Sequence, residues 1–378
     1  MRILVLTKRQ YTNLDLLDDC FGRLREIPLA LAKAGHKVAG ICLSYRNLKE
    51  GTYLDGDEGA IVQWQSLNAK RLLPSGRTSY WRQIDDIVEQ FKPDLIWGCS
   101  DALHVISGAY LAKKYSIKLI VDLYDNFESF FATRLPGITP LFRKAVQSAQ
   151  AVTCVSFPLK KYVQETMGYR GPVKVIENAI PDNLFFPMEQ VACRRTLGLP
   201  ESGKFIGTAG HISKSRGIET LFRAFEILAR ERSDVRLALA GRCDKKLSLP
   251  ESDRFLFLDQ IPPQKVPIFI SSLDVNVICN RDSSFGRYCF PQKFYEAIAC
   301  KVPVIAAEVG TMKELLKNTS HGLYKPDDVN SLVTALRHQL KNPELLPLEV
   351  PNWNELGIKV GDFFEKCQKI YFSATNTI

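Results

Sequence analysis

A chain of 378 residues is too long for one ordinary core, and at about 100–200 residues per domain it predicts two. With 46% hydrophobic and 24% charged residues the composition is globular, which excludes a disordered chain, and no apolar run of about 18 residues exists to span a bilayer as a helix. The net charge of +9 is spread over pairs such as Lys70-Arg71, Lys113-Lys114, Arg143-Lys144 and Lys160-Lys161: solvated helical faces or attraction to an anionic membrane face explain it, and no nucleic-acid motif accompanies it.

The first apolar run, Met1–Thr7, is too short for a signal-peptide core and reads as a buried strand over Arg2–Leu6. Leu24, Ile27, Leu31 and Ala34 recur at helical spacing before Gly35 stops them. Val38–Leu43 is the next strand. Trp81–Phe91 reads as helix, Leu95–Trp97 as strand, Ala102–Lys114 as helix and Lys118–Leu123 as strand. Pro140–Ser148 is helical and Ala151–Val155 extended. The alternation then restarts: strand Phe205–Ala209, helix Ile218–Arg230, strand Arg236–Ala240, a short helix Gln264–Ser271, strand Val275–Ile278, helix Phe294–Ala299, strand Pro303–Ala306 and helix Asp328–Leu340. Such alternation predicts parallel sheets covered on both faces. The expected organisation is an α/β protein with domains at 1–177 and 196–356, joined by a linker at 178–195 that Pro181 and Pro187 punctuate.

The ten cysteines include no C-x-x-C pair, and several lie in strand-like runs. Buried free thiols in a reducing cytosol are the reading, and no Cys/His spacing suggests zinc.

Ligands of doubly wound sheets bind at the carboxyl ends of strands, which singles out four loops. Gly210-His211-Ile212-Ser213-Lys214-Ser215-Arg216-Gly217 follows a strand and opens a helix, a place suited to phosphate, with three basic side chains added. Phe290-Pro291-Gln292-Lys293-Phe294-Tyr295-Glu296-Ala297 puts Lys293 and Glu296 on one helix face, and a lysine in a first turn is unfavourable unless an anion sits there. A surface Lys293–Glu296 pair is the bland alternative. Asp122-Leu123-Tyr124-Asp125-Asn126-Phe127-Glu128 ends a strand with three carboxylates, fit for acceptor hydroxyls or a general base, or for capping the next turn. Glu308-Val309-Gly310-Thr311 turns from a strand into a helix, with backbone N–H groups available to a sugar or phosphate.

In this order the pieces resemble the large retaining GT-B glycosyltransferase family that includes phosphatidylinositol mannosyltransferases and sucrose synthases. Val173–Pro187 (VKVIENAIPDNLFFP) is similar to the family's interdomain signature, Gly207–Phe225 to its G-R-L-x-x-x-K-G loop and helix, Arg236–Gly241 to its V-x-L-x-x-x-G strand, and Phe290–Gly310 to its E-x7-E region in a P-x-K-x-x-E variant. The resemblance implies two Rossmann-like domains facing a central cleft, with a final helix, 357–378, crossing back onto the first domain. It places Arg216 on the family's donor-phosphate lysine, His211 on its donor-phosphate arginine and Glu296 on the ribose-binding glutamate. Three departures are visible: Tyr288 stands where the first glutamate of E-x7-E falls, Tyr124 where many members carry a histidine near the acceptor, and the glycine pair near the first helix is missing.

The expected reaction is transfer of a sugar, with retention, from a nucleoside diphosphate sugar to an acceptor hydroxyl in bacterial polysaccharide or glycoconjugate synthesis. Gly210, His211, Lys214, Arg216, Lys293, Glu296, Gly310 and Thr311 are expected at the donor. Tyr124, Asp125 and Asn126 are expected at the acceptor, with Asp125, Arg216 and Lys293 nearest the chemistry. No metal is expected, since fixed cations meet the leaving diphosphate and no D-x-D motif is present. The expected partners are a nucleotide sugar and a lipid-linked or nascent glycan, met in the cytoplasm or at the inner membrane face, and no nucleic acid. A non-catalytic nucleotide- or partner-binding protein of the same fold is the alternative. A nicotinamide oxidoreductase is disfavoured because Lys8-Arg9-Gln10-Tyr11, without glycine, follows the first strand.

Overall fold

The central strands Arg2–Lys8, Lys118–Leu123 and Val275–Ile278 grow from short apolar runs, because a parallel strand is covered on both faces. The computed structural model describes residues 1–11, 14–57, 59–72 and 76–375. The chain separates into two units, Met1–Glu177 with the segment from Asn352 onward, and Asn178–Pro351.

The first unit runs β1 (Arg2–Lys8), β2 (Gln10–Tyr11), β3 (Leu14–Asp15), α1 (Arg23–Lys33), β4 (Lys37–Ser44), β5 (Gly51–Asp57), β6 (Ala60–Asn68), α2 (Arg77–Phe91), β7 (Leu95–Gly98), α3 (Ala102–Tyr115), β8 (Lys118–Leu123), α4 (Ile138–Ser148), β9 (Ala151–Cys154), α5 (Phe157–Glu165) and β10 (Val173–Val175). Its sheet has the order β10-β9-β8-β7-β1-β4-β6-β5, parallel except for β5 against β6, and β2 and β3 form a separate antiparallel pair. The chain builds outward from β1 through β4 on one side and from β7 through β8 on the other, so the order reverses between β1 and β7.

The second unit runs α6 (Gln190–Thr196), β11 (Lys204–Ala209), α7 (Ile218–Glu231), β12 (Val235–Ala240), β13 (Phe255–Phe257), α8 (Val266–Ser272), β14 (Val275–Ile278), α9 (Lys293–Ala299), β15 (Val304–Ala307), α10 (Gly310–Leu315), β16 (Leu323–Tyr324) and α11 (Val329–Lys341). Its sheet is β13-β12-β11-β14-β15-β16, all parallel, and reverses between β11 and β14. Leu221, Phe225 and Leu228 of α7 share one buried core with Leu332 and Leu336 of α11.

Two boundaries differ from the sequence reading. The stretch 178–195 belongs to the second unit rather than standing apart as a linker. Arg194 is buried there, donating to the Ser272 carbonyl at 2.9 Å and to Asp274 at 2.7 Å, and Asn178 donates to the Phe290 carbonyl at 3.0 Å. The last helix, α12 (Trp353–Thr375), begins before 357, and residues 376–378 lie outside the described residues. Its start is a reciprocal cap: Asn352 accepts from the Glu355 N–H at 2.8 Å, while Glu355 accepts from the Asn352 N–H at 3.4 Å.

Helix α12 lies on the first unit. Phe364 meets Trp97 of β7 edge-on at 5.5 Å, and a Cβ on Gly357 would stand 2.3 Å from the Ala30 Cβ in α1. Gly357→Val is therefore expected to cost about 1–3 kcal/mol by overpacking, lowering the Tm by several degrees. Thermal unfolding checks this, and a variant as stable as the parent would show that α1 and α12 are not in this contact.

Candidate functional site

In the second unit the reversal between β11 and β14 opens a crevice outside their carboxyl ends, the usual ligand position in such a sheet. Gly210 follows β11, and the segment from Cys279 to Lys293 follows β14. Lys293 spans the two: its Nζ donates to Thr208 Oγ1 at 3.3 Å and lies 3.9 Å from where a Gly210 Cβ would stand. Gly241, after β12, has φ 126°, and a Cβ on it would come within 2.0 Å of the Gly210 carbonyl oxygen. A side chain at 241 would thus push the loop out of place.

Charge gathers at this crevice. Burial pushes the Lys293 ammonium below its ordinary pKa, and the neighbouring Arg216 guanidinium pushes it further. Arg216 itself sits with its guanidinium carbon 4.0 Å from the Phe285 ring centroid. The Glu296 carboxyl is pushed up to about 7 by burial, with Lys293 and Gln292 pulling the other way. Two cations held near each other beside a partly suppressed carboxylate gain from an added anion.

Gly310, at φ 55°, lies directly under the segment after β14: a Cβ there would stand 2.6 Å from the Arg287 carbonyl oxygen and 2.9 Å from that of Gly286. Thr311 is 3% exposed, and its Oγ1 has no hydrogen-bond partner among the described residues. Such an orphaned hydroxyl costs free energy until something fills its valence.

Two of the predicted donor residues point to protein partners instead. His211 Nε2 pairs with Asp244 at 2.8 Å, a partner 33 residues along the chain. Lys214 is largely exposed and its Nζ lies 3.4 Å from Glu219. Acidic neighbours from the loop after β12 and from α7 hold both side chains.

In the first unit Tyr124, Asp125 and Asn126 follow β8. Asn126 works as a cap, its side chain accepting from the Glu128 N–H at 3.1 Å. Asp125 is 5% exposed and accepts the Asn126 N–H at 2.7 Å. The Tyr124 ring packs edge-on against Tyr11 and Phe127, each at 5.3 Å, and burial holds its hydroxyl far above the usual phenol pKa. A proton-accepting role like that of a histidine is therefore closed to it.

Sequence reading passed over Thr208, Phe285, Lys8 and Asp101. Asp101 carried a readable signal, a polar residue just before an apolar helix. It caps α3 by accepting from the Leu103 and His104 N–H groups at 3.0 and 3.2 Å. Thr208 and Phe285 carried none, since each matters only through a side chain that arrives from elsewhere in the chain.

Two family descriptions match this chain: Glycosyltransferase Family 4 over residues 24–184 and Glycosyl transferases group 1 over residues 191–347. Among curated proteins, N-acetyl-alpha-D-glucosaminyl L-malate synthase of Bacillus anthracis is 24% identical over 248 residues, 63% of either chain. The chain spans less than two thirds of the length of the curated relatives it matches first. Among solved structures, sucrose-phosphate synthase from Thermosynechococcus elongatus superposes with a TM-score of 0.75 at 19% identity, covering 99% of both chains. Anabaena HepE in complex with UDP does so with a TM-score of 0.67 at 17% identity, covering 100% of both. These likenesses establish the GT-B fold of two Rossmann-like α/β units.

Proposed function

We propose that this chain, which belongs to the group 1 and family 4 glycosyltransferases, transfers a sugar with retention from a nucleoside diphosphate sugar to an acceptor hydroxyl. The observation that carries the reading is Lys293, a partly buried cation set against Arg216 and Thr208 at the strand reversal of the second unit. In the proposal Lys293 and Arg216 receive the diphosphate, whose negative charge grows as the glycosidic bond breaks. Fixed cations at that point lower the barrier without having to reorganise. Glu296 accepts from the ribose hydroxyls, and Thr311 offers its unfilled hydroxyl to the sugar or a phosphate oxygen. Asp125, on the first unit, orients the acceptor hydroxyl, and His211 and Lys214 join the donor only if they leave Asp244 and Glu219. Because two protein cations meet the leaving group, the proposal includes transfer without a metal ion. The acceptor is a lipid-linked or nascent glycan in bacterial polysaccharide or glycoconjugate synthesis, met in the cytoplasm or at the inner membrane face.

A thermal-shift screen against UDP, GDP, ADP, CMP and their sugars tests the donor half. Binding to the native state raises the Tm with the logarithm of ligand concentration over Kd. One nucleotide class is expected to give a clear shift. Transfer from that donor to glycan acceptors, with NMR of the product's anomeric proton and an arm in EDTA, tests the rest. An inverted product removes the retaining mechanism, and loss of activity in EDTA removes metal independence. The second reading, a nucleotide-binding protein without turnover, is favoured by Tyr124 and Tyr288 standing at two family positions. A nucleotide shift with no transfer would establish it.

A further inference from the structure

The first unit carries its own charged cluster at its strand reversal. Four neighbouring strands deliver it: Tyr45 follows β4, Lys8 ends β1, Ser100 and Asp101 follow β7, and Tyr124 and Asp125 follow β8. The backbone there is fixed under strain. Ser100 has φ 78°, a conformation unusual for a residue with a side chain. It is held because its hydroxyl accepts the Lys8 N–H at 2.8 Å and meets His104 Nδ1 at 3.3 Å.

Asp101 is fully occupied. One oxygen takes the cap hydrogen bonds and His104 Nδ1 at 2.8 Å, and the other accepts the Tyr45 hydroxyl at 3.0 Å. Burial alone would raise its pKa, but the His104 ring and Lys8 outweigh that and hold it at about 2, so it stays ionised. The Lys8 ammonium is different. Its Nζ lies 5.5 Å from the Tyr124 ring centroid and 5.4 Å from that of Phe130, and makes no hydrogen bond or ion pair among the described residues. It is partly buried, and burial pushes its pKa down while Asp101 and Asp125 push back. The cluster therefore presents a lysine with three unused donors, the Asp125 carboxylate, and aromatic rings beside them.

We propose that this cluster binds the sugar ring of the acceptor, with Lys8 as an acceptor-binding residue, and that it selects a neutral, hydroxyl-rich ring over a carboxylate or phosphate. The reading rests on the glycosyl transfer proposed above. The charge balance supports the selectivity. Asp101 and Asp125 already compensate Lys8, so an incoming anion gains little from the lysine and is repelled by both carboxylates. A sugar hydroxyl both accepts and donates, so it can take a hydrogen bond from Lys8 and give one to Asp125. An aromatic ring suits the apolar face of a pyranose, and the Tyr124 and Phe130 rings stand beside the Lys8 ammonium.

Saturation-transfer NMR on the full chain tests this without the donor. The probes are the methyl α-glycosides of glucose, mannose, galactose and N-acetylglucosamine, against succinate and glucose 6-phosphate. At least one glycoside is expected to bind, with both anions about tenfold weaker or more. Lys8→Met is expected to weaken the glycoside by about tenfold or more, and Lys8→Arg by less, as for loss and partial retention of a charged donor. The nucleotide thermal shift should be unchanged in both variants, which also shows that they fold. The proposal is overturned if an anion binds more tightly than every glycoside, if Lys8→Met binds like wild type, or if no glycoside binds. Failure of the donor reading is separate: it appears as absence of any nucleotide shift in the wild type while glycoside binding persists.

Discussion

Replacing Lys293 by Met should remove nucleotide binding and yet make the ligand-free protein more stable. The two effects share one cause. Lys293 is held partly buried beside Arg216, and its pKa is lowered, so the charged form is worse off in the folded chain than in the unfolded one. For a lysine with a lowered folded-state pKa, the stability it withholds at neutral pH returns as pH rises through that lowered pKa toward the ordinary 10.5. Methionine keeps the apolar stem and deletes the charge. The Tm of the apo variant should therefore exceed that of the parent at pH 7, and the gap should close at alkaline pH. The hydrogen bond to Thr208, 3.3 Å long, is a small loss by comparison. In the proposed ligand-bound state the balance inverts, because a diphosphate would set full anionic charge against the ammonium. Loss of that charge-assisted contact should weaken a nucleoside diphosphate by on the order of 10²–10³-fold, and transfer should fall by at least as much. Calorimetry of the apo variant with a nucleotide titration reads both. A variant that is destabilised and still binds would make Lys293 a structural residue and remove the observation on which the function rests.

The residues that carry this argument were legible in the sequence to different degrees. Strands β8 and β14 fall on the residues predicted, because a buried parallel strand writes itself as an apolar run with turn residues at each end. β5 was missed for the opposite reason. It is an edge strand, its partner β6 is antiparallel, and Gly51, Asp55, Gly56 and Asp57 are poor strand formers. The N-terminus of α12 is written as Asn352-x-x-Glu355, a capping pattern that lies upstream of the apolar periodicity marking the helix from 357 onward. At the donor crevice, Lys293 stood out because a cation in a first helical turn contradicts local electrostatics. His211 looked equally suitable, but its pairing with Asp244 joins two loops that are distant in sequence. Lys8 gave no signal at all. A lysine after a strand reads as a solvated charge, and only the strand order sets it beside Asp101, a residue from the far side of the reversal.

The affinity for a nucleotide sugar should rise with pH between about 6 and 8, and Glu296 should be the reason. Its carboxyl is pushed up to about 7 by burial, whereas the unfolded chain would titrate at its ordinary 4.5. The folded chain holds the extra proton in that window, so the group's contribution to stability is complete below 4.5 and is lost as pH rises through about 7. The proposed ribose contact has the reverse demand. Two hydroxyls donating to one carboxylate need it ionised, so the donor must expel the proton at low pH. With the carboxyl titrating at about 7, affinity should be about tenfold weaker at pH 6 than at pH 8. A nucleotide sugar is the right probe, because its diphosphate is blocked at both ends, whereas a free terminal phosphate titrates near 6 and would add its own slope. Lys293 acts in the other direction, losing charge as pH rises, and so bends the profile down on the alkaline side. Glu296→Gln separates the two. It keeps an acceptor oxygen but cannot titrate, so the acid limb should flatten while the alkaline limb remains. Glu296→Ala should bind weakest, by about 1.5–3 kcal/mol for the loss of a charged hydrogen-bond acceptor. Isothermal titration at several pH values is the measurement. An acid limb that survives in Glu296→Gln would take Glu296 away from the ribose and assign the titration to another group of the crevice.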